Sequence, residues 1–352
     1  MTELSFRAVR TLSRRKFLLG GSLAAAGTAA AQCMLTNGRG PAPAAAADYE
    51  HGAHRLVTRG TGHLGMVGRV DPAVNGFDPR EVVRDFDWGK ARRTAAGRTV
   101  REWELVAEDK EIEIAPGIKY AAYTYNGRVP GPTLRAHEGE LLRIRFVNRG
   151  AHPHTIHFHG IHTSGNDGVP GVGQGNVGVG GETTYHFEAA PFGLHLYHCH
   201  SSPLADHITK GLYGAFIIDP KQGRPDADEL VLVQNGFDTN FDRSNEVYAV
   251  NTVAFAYLND PIKVKQGELV RIYLVNALEF DLVNSFHIHG NFFELFPIGT
   301  SLEPTEYTDT VVQGQGRRDV LELRFPHTGT YMFHAHVSEF AELGWMGFFE
   351  VV

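Results

Sequence analysis

Hydrophobic and polar residues alternate in short runs along the chain after residue 98, and glycine, proline, asparagine and aspartate separate the runs. A period of two places successive side chains on opposite faces of a β-strand. No long stretch shows the 3.6-residue period of an amphipathic helix. The pattern therefore predicts an all-β fold, in which short strands are joined by tight turns.

One arrangement of strands and histidines occurs twice. Residues 139–148 and 267–276 both read Gly-Glu-Leu, followed by an alternating strand that ends in asparagine. A His-x-His-Gly motif follows each of them, and each half closes with a second His-x-His and a glycine-rich strand. The repeat predicts two similar β-sandwich domains in tandem, over residues 98–222 and 226–352. Residues 48–97 form an N-terminal extension whose fold the pattern does not predict.

The N-terminus has the features of an export signal. Ser13, Arg14, Arg15 and Lys16 form a twin-arginine motif, an apolar run extends to about residue 31, and small residues follow. The run is too short and too weakly apolar for a stable membrane span. We therefore expect residues 1–47 to be a twin-arginine signal peptide and the mature protein to be periplasmic or extracellular.

Charge and cysteine content narrow the function classes. The net charge is -7, and the leader carries six basic residues and one acidic residue, so the remainder is more acidic still. An acidic chain argues against a nucleic-acid or anionic-membrane partner. Of the two cysteines, Cys33 lies in the leader, so Cys199 remains alone in the predicted mature chain. An intrachain disulfide is thereby excluded, and a functional thiol is indicated.

The histidines indicate a metal site. His-x-His on a strand directs two imidazoles to one side, because residues i and i+2 share a face. The chain has five such pairs, and four of them recur at matching places in the two halves. Cys199 lies within one pair, between His198 and His200. His154 lies three residues before His157, and His207 lies eight residues after Cys199. One cysteine and two histidines form the trigonal site of a blue copper centre.

These motifs resemble the copper signatures of the multicopper oxidases. The resemblance covers about residues 98–352 and implies two cupredoxin-like Greek-key sandwiches. It also implies about four copper ions per chain. The type 1 copper would be held by His154, Cys199 and His207. A trinuclear cluster would be held by eight histidines: His157 and His287 at the type 2 copper, and His159, His198, His200, His289, His334 and His336 at the type 3 pair.

The second domain departs from a full copper domain. Ala335 stands at the place of the cysteine and Asn284 at the place of the type 1 histidine, so we expect only the first domain to hold a type 1 copper. This layout resembles that of copper nitrite reductases. It implies a homotrimer in which each cluster lies between two subunits.

Three further residues are candidates by the same resemblance. Asp167 and Glu339 each lie near a histidine pair and are candidate proton donors. Leu212 follows His207 by five residues, where cupredoxins commonly have an axial methionine. Leucine offers no lone pair, so we expect a nearly three-coordinate type 1 copper with a raised potential.

The predicted function is that of a laccase-like oxidase, which takes electrons from a small reducing substrate and passes them to O2. A copper nitrite reductase is the first alternative, but its catalytic copper needs only three histidines. A copper-storage or electron-carrier protein would not need eight further ligands. An oxidase of Cu(I) or Fe(II) is a third alternative. The absence of a methionine-rich segment favours organic donors such as phenols.

Overall fold

The computed structural model of the chain describes residues 66–352. The predicted signal peptide, Cys33 and the first part of the N-terminal extension lie outside these residues. The described part consists mainly of β-strands with a few short helices, so the predicted fold class is confirmed. None of the helices within residues 66–352 has the length and apolar character needed to cross a membrane.

The first sandwich consists of two packed sheets. One sheet has the order β1-β5-β10-β9-β7, and the other has the order β2-β3-β6-β8 with β4 paired to β3. Alternating side chains of both sheets form one apolar core, in which Trp103 packs edge-on against Phe216 and Phe158 against Tyr185. The strands are β1 (Phe86–Asp87), β2 (Lys90–Arg93), β3 (Thr99–Ala115), β4 (Ile118–Tyr125), β5 (Thr133–His137), β6 (Leu141–Asn148), β7 (His157–Phe158), β8 (Glu182–Glu188), β9 (Gly193–His198) and β10 (Tyr213–Asp219).

The second sandwich repeats this plan. Its sheets have the orders β12-β11-β14-β19-β16-β17 and β13-β21-β20-β15-β18. Phe286 packs in its core beside Phe293 and Trp345. The strands are β11 (Asp228–Phe237), β12 (Val247–Val250), β13 (Ile262–Val264), β14 (Leu269–Asn276), β15 (Val283–Ile288), β16 (Phe293–Pro297), β17 (Glu306–Thr308), β18 (Thr310–Gly314), β19 (Arg318–Arg324), β20 (Gly329–His334) and β21 (Met346–Val351).

Short helices lie at the strand ends and in the N-terminal segment. Asp71 and Asp78 cap the first two, since each carboxylate accepts from the main-chain N–H two residues on. Because β1 pairs with β5 and β2 with β3, the segment from residue 86 belongs to the first sandwich. The helices are α1 (Pro72–Asn75), α2 (Pro79–Val82), α3 (Leu204–Thr209), α4 (Ala256–Asn259) and α5 (Ser338–Glu342).

A buried ion network joins the two sandwiches. Arg135 of β5 donates to Asp219 at 2.8 Å and to Glu229 of β11 at 2.5 Å. Glu229 also accepts from Arg271 and from the Tyr273 hydroxyl. The carboxylates and the two guanidinium groups are largely shielded from water, so removing one partner would leave a buried charge uncompensated. The network therefore contributes to the packing of one sandwich against the other, alongside the apolar core that both share.

Candidate metal centre

Three buried donor atoms meet in the first sandwich. His154 precedes β7, Cys199 directly follows β9, and His207 lies on α3. The Nδ1 atoms of the two histidines are 3.1 Å apart, and the Cys199 Sγ atom is 3.3 Å from His207 Nδ1 and 3.9 Å from His154 Nδ1. All three residues are buried. Three buried donors that lie close together fit a trigonal metal ion.

The environment of Cys199 favours a metal-bound thiolate. Burial raises the pKa of the thiol, while the N–H groups of Ser201 and Thr155 point at Sγ and oppose that shift. A bound cation deprotonates a coordinating thiol. Soft thiolate with two imidazoles is the ligand set of blue copper sites, so the residues present fit copper.

An aromatic side chain covers this trio. The Tyr123 ring lies 5.2 Å from the ring of His154 and 5.6 Å from that of His207, measured between centroids. The exposed His152 ring lies 5.7 Å from Tyr123, and the Lys210 ammonium lies 5.2 Å above its face. Tyr123 and His152 thus lie between the two buried imidazoles and the solvent.

Four histidines form a second group in the first sandwich. His157 pairs with His198 in the register of β7 and β9, and their ring centroids are 5.4 Å apart. The Nε2 atoms of His159 and His198 approach to 2.8 Å. His200 completes the group, with its ring 5.4 Å from that of His157. We call His157, His159, His198 and His200 the first quartet.

The second sandwich carries a matching group, His287, His289, His334 and His336, which we call the second quartet. His287 pairs with His334 in the register of β15 and β20, and the Nε2 atoms of His289 and His334 are 3.0 Å apart. Five ring-to-ring distances of the two quartets agree within 0.2 Å. The sequence repeat therefore builds the same histidine geometry twice.

Hydrogen bonds at Nδ1 direct the other ring nitrogen into each quartet. Asp167 accepts from His157 at 2.8 Å, and the main-chain carbonyls of Cys199 and Ala335 accept from His198 and His334. His287 meets the Asp309 carbonyl and the Thr310 hydroxyl in the same way. A carboxylate or carbonyl behind an imidazole fixes its tautomer and orients it toward a metal.

Burial keeps several of these imidazoles neutral. It lowers the pKa of His159 to about 2, with His198 and Arg318 adding to the shift. It also lowers the pKa of His154 and of His198 to about 4. A metal ligand must be unprotonated, and these rings are already so at neutral pH.

Within residues 66–352, the two quartets do not meet. Each convergent histidine group draws its members from one sandwich. The cavity that the first quartet lines is bordered by Asn276, Ala277, Glu279, Gln315 and Gly316 of the second sandwich. Neither quartet is completed by the other in a single chain.

The second sandwich lacks a counterpart of the buried trio among its described residues. Asn284 is fully buried and its side-chain oxygen accepts from the Ser285 N–H, while Ala335 is buried where the repeat places Cys199. One hydrogen bond is the same in both sandwiches. The Thr155 hydroxyl accepts from the His200 N–H, and the Ser285 hydroxyl accepts from the His336 N–H.

The remaining predicted residues lie close to these groups. Asp167 contacts His157 directly. Glu339 is exposed in the first turn of α5, three residues after His336. Leu212 is fully buried, its N–H donates to the His207 carbonyl, and its carbonyl accepts from the Cys199 N–H. The axial role of Leu212 and the proton-donor roles of Asp167 and Glu339 stay predictions.

Sequence reasoning missed two residues beside the groups, Tyr123 and Glu279. Tyr123 belongs to β4, far in sequence from the histidines that it covers. Glu279 lies in the loop after β14, and it lines the same cavity as the first quartet because the two sandwiches pack together. Neither residue belongs to a recognisable motif, so only the tertiary structure identifies them.

Comparison with known proteins supports the copper assignment. Two models of the multicopper oxidase family match residues 107–223 and 225–352. A crystal structure of a multicopper oxidase is 60% identical, with a TM-score of 0.80, and covers 81% of this chain and 100% of its own. The blue copper oxidase of Nitrosomonas europaea is 29% identical, with a TM-score of 0.66, over 72% of this chain and 86% of its own.

A nitrite reductase is also similar. The copper-containing nitrite reductase of Neisseria gonorrhoeae is 30% identical over 249 residues, which are 65% of this chain and 62% of that protein. The chain thus spans less than two thirds of the length of this curated relative.

Proposed function

The chain belongs to the multicopper oxidase family, and from that premise we propose that it is a laccase-like oxidase, which removes single electrons from a small reducing substrate and reduces O2 to water. The observation that carries this proposal is the presence of two complete, matching histidine quartets beside one cysteine-containing trio. Copper bound at the trio would accept electrons singly, and copper bound at the quartets would hold the oxygen.

Cys199 links the two kinds of site. It provides the thiolate of the trio, and its peptide neighbours on both sides, His198 and His200, belong to the first quartet. The main chain therefore offers a short covalent path for electrons from the surface under Tyr123 to the quartet. A separate entry site suits a donor that gives electrons one at a time.

Nitrite reduction is the alternative that the comparisons keep open, because a nitrite reductase is among the similar proteins. The presence of all eight quartet histidines favours the oxidase. A single catalytic copper held by three histidines would leave the other five without a ligand role. The test supplies one donor with either O2 or nitrite. We expect O2 consumption with water as the product, and nitric oxide production without O2 uptake would contradict the proposal.

Organic donors, such as phenols, fit the entry surface better than Cu(I) or Fe(II). Tyr123 and the exposed His152 cover the trio, and neither of these two residues of the described chain offers a thioether sulfur. Soft Cu(I) prefers thioether or thiolate ligands. Comparing the reduction rate of the blue centre by a phenol and by Cu(I) tests this choice, and faster reduction by Cu(I) would refute it.

We also propose a homotrimer in which each first quartet meets the second quartet of a neighbouring copy. The second quartet is partly exposed, and large apolar side chains around it are exposed as well. Leu282 is 79% exposed and Val312 66%, both on or beside the strand pair that carries His287. An apolar patch beside an incomplete ligand set favours association with a second copy.

Val312→Asp tests the trimer, with Val74→Asp as the control, because Val74 is 51% exposed on α1. We expect Val312→Asp alone to sediment as a monomer and to lose the quartet copper while keeping the blue colour. A fully active, copper-replete monomer of the parent protein would contradict the proposal.

Export by the twin-arginine route is the remaining proposal. It rests on Arg14 and Arg15 in the leader, which lies outside the described residues. Replacing both arginines with lysine should leave the protein in the cytoplasm, as cell fractionation would show. Unchanged export of that variant would contradict this route.

A further inference from the structure

A cavity of about 260 Å³ lies between the first quartet and the second sandwich of the same chain. Four of its lining residues differ in exposure. Leu204 and Gln315 are exposed to solvent, whereas Leu196 and Ala277 are buried. In the single chain, the cavity therefore leads from the surface to the quartet. All four members of the quartet line it: His157, His159, His198 and His200.

Two polar side chains in the wall lack partners. The half-buried Glu279 carboxylate has no hydrogen bond or ion pair to any residue within 66–352, since the bond from Asn245 goes to its main-chain carbonyl. The Tyr213 hydroxyl is buried without a partner, and Tyr213 pairs with His198 in the register of β9 and β10. Buried polar groups without protein partners are commonly satisfied by ordered water.

Among the described residues that line this wall, Glu279 is the only one with a carboxyl group. The titratable groups that share the cavity are Tyr213 and the first quartet, and none of the residues lining it is a lysine or arginine. Burial alone raises the pKa of Glu279, because no neighbouring cation stabilises its charge. A carboxyl whose pKa moves toward neutrality is suited to proton transfer.

We propose that this cavity is the proton path to the first quartet and that Glu279 is its proton-donating group. The proposal rests on the proposed oxidase function. Reduction of one O2 to two waters takes up four electrons and four protons, and the protons come from solvent. The Glu279 carboxyl gives its proton to the oxygen being reduced in the cavity. The carboxylate then takes a new proton through water at the mouth, beside Leu204 and Gln315.

Asp167 is less suited to this role. Its carboxylate accepts from the His157 Nδ1 atom at 2.8 Å, and that contact holds the ring in position. Transfer of a proton through Asp167 would disturb the orientation of this ring. Glu279 has no such contact among the described residues, so it can exchange a proton without moving a quartet histidine.

The test uses the copper-loaded protein and two variants, Glu279→Gln and Glu279→Asp. Each protein is first reduced by a phenol without O2 and is then mixed with O2. We expect Glu279→Gln to be reduced at the parent rate but reoxidised at least about 100-fold more slowly, the lower end of the usual contribution of a general acid. Glu279→Asp should recover part of the rate. Glu303→Gln, at an exposed loop of the same sandwich, is the matched control.

A crystal structure gives a second readout that does not depend on activity. We expect ordered waters between the Glu279 carboxylate and the Tyr213 hydroxyl, and a dry cavity would overturn the proposal. Reoxidation of Glu279→Gln at the parent rate would overturn it as well. Failure of the oxidase function is distinguishable: the parent would then reduce nitrite, which also consumes protons, and Glu279→Gln should slow that reaction instead.

Discussion

The Nδ1 atoms of His154 and His207 face each other across 3.1 Å, although 53 residues separate them in sequence. His154 is held by the loop before β7 and His207 by α3, so two separate elements fix this distance. Cys199 supplies the third donor from the end of β9. A site built from three elements is sensitive to small displacements of any one of them.

Gly150→Ala should distort this site. A Cβ atom at position 150 would lie 2.8 Å from His154 Nε2, so the ring must move. We expect a shifted blue absorption band and altered EPR parameters, with the quartet copper retained. Gly178→Ala is the control, because a Cβ there meets no atom within 4 Å. Identical spectra of parent and Gly150→Ala would show that the site tolerates the displacement.

Leu212→Met should lower the potential of the type 1 copper. The main chain of Leu212 bonds to both Cys199 and His207, and a thioether at this place would add a weak axial donor that stabilises Cu(II). Redox titration measures the midpoint, and poor donors should be oxidised more slowly. An unchanged midpoint would mean that the side chain at position 212 does not face the copper.

Asp167→Asn should weaken the first quartet. The amide can still contact His157, but it removes the charge that favours the tautomer with a proton on Nδ1. Loss of such an outer partner typically costs about 10- to 100-fold in metal affinity or activity. We expect slower O2 reduction with unchanged reduction of the blue centre by substrate. Equal activity of the variant and the parent at every pH would show that Asp167 only forms a turn.

Acid should destabilise the metal-free protein. The unfolded chain protonates its histidines below about pH 6.5, while burial keeps His154 and His198 neutral in the folded state until about pH 4. The unfolded state therefore binds more protons in this window, and the free energy of unfolding falls as the pH falls. Urea unfolding at about pH 7.5 and about pH 5 measures this. A constant or rising midpoint at the lower pH would contradict it.

The sequence predicted the histidine pairs well, because their geometry is local. The period of a strand places His157 and His159 on one side, and the repeat predicts that His287 and His289 do the same. The structure shows that the strand pairing is also the same in both halves. His157 lies opposite His198, and His287 lies opposite His334.

Contacts between distant elements were beyond sequence reasoning. The sequence suggested that Asp167 lies near a histidine pair, but the bond to His157 depends on how the loop from β7 to β8 folds back. The cavity wall around Glu279 depends on the packing of two sandwiches, to which the ion network of Arg135 and Glu229 contributes. Such long-range packing leaves no periodic signal in the chain.

The copper content per chain, measured with the visible and EPR spectra of the parent and of Cys199→Ser, tests the central claim most directly. We predict about four copper ions per chain and an intense blue band in the parent. Cys199→Ser should lose the blue band and oxidase activity while keeping its fold and the quartet copper. A pure parent protein with about two copper ions per chain and nitrite reductase activity would contradict the account.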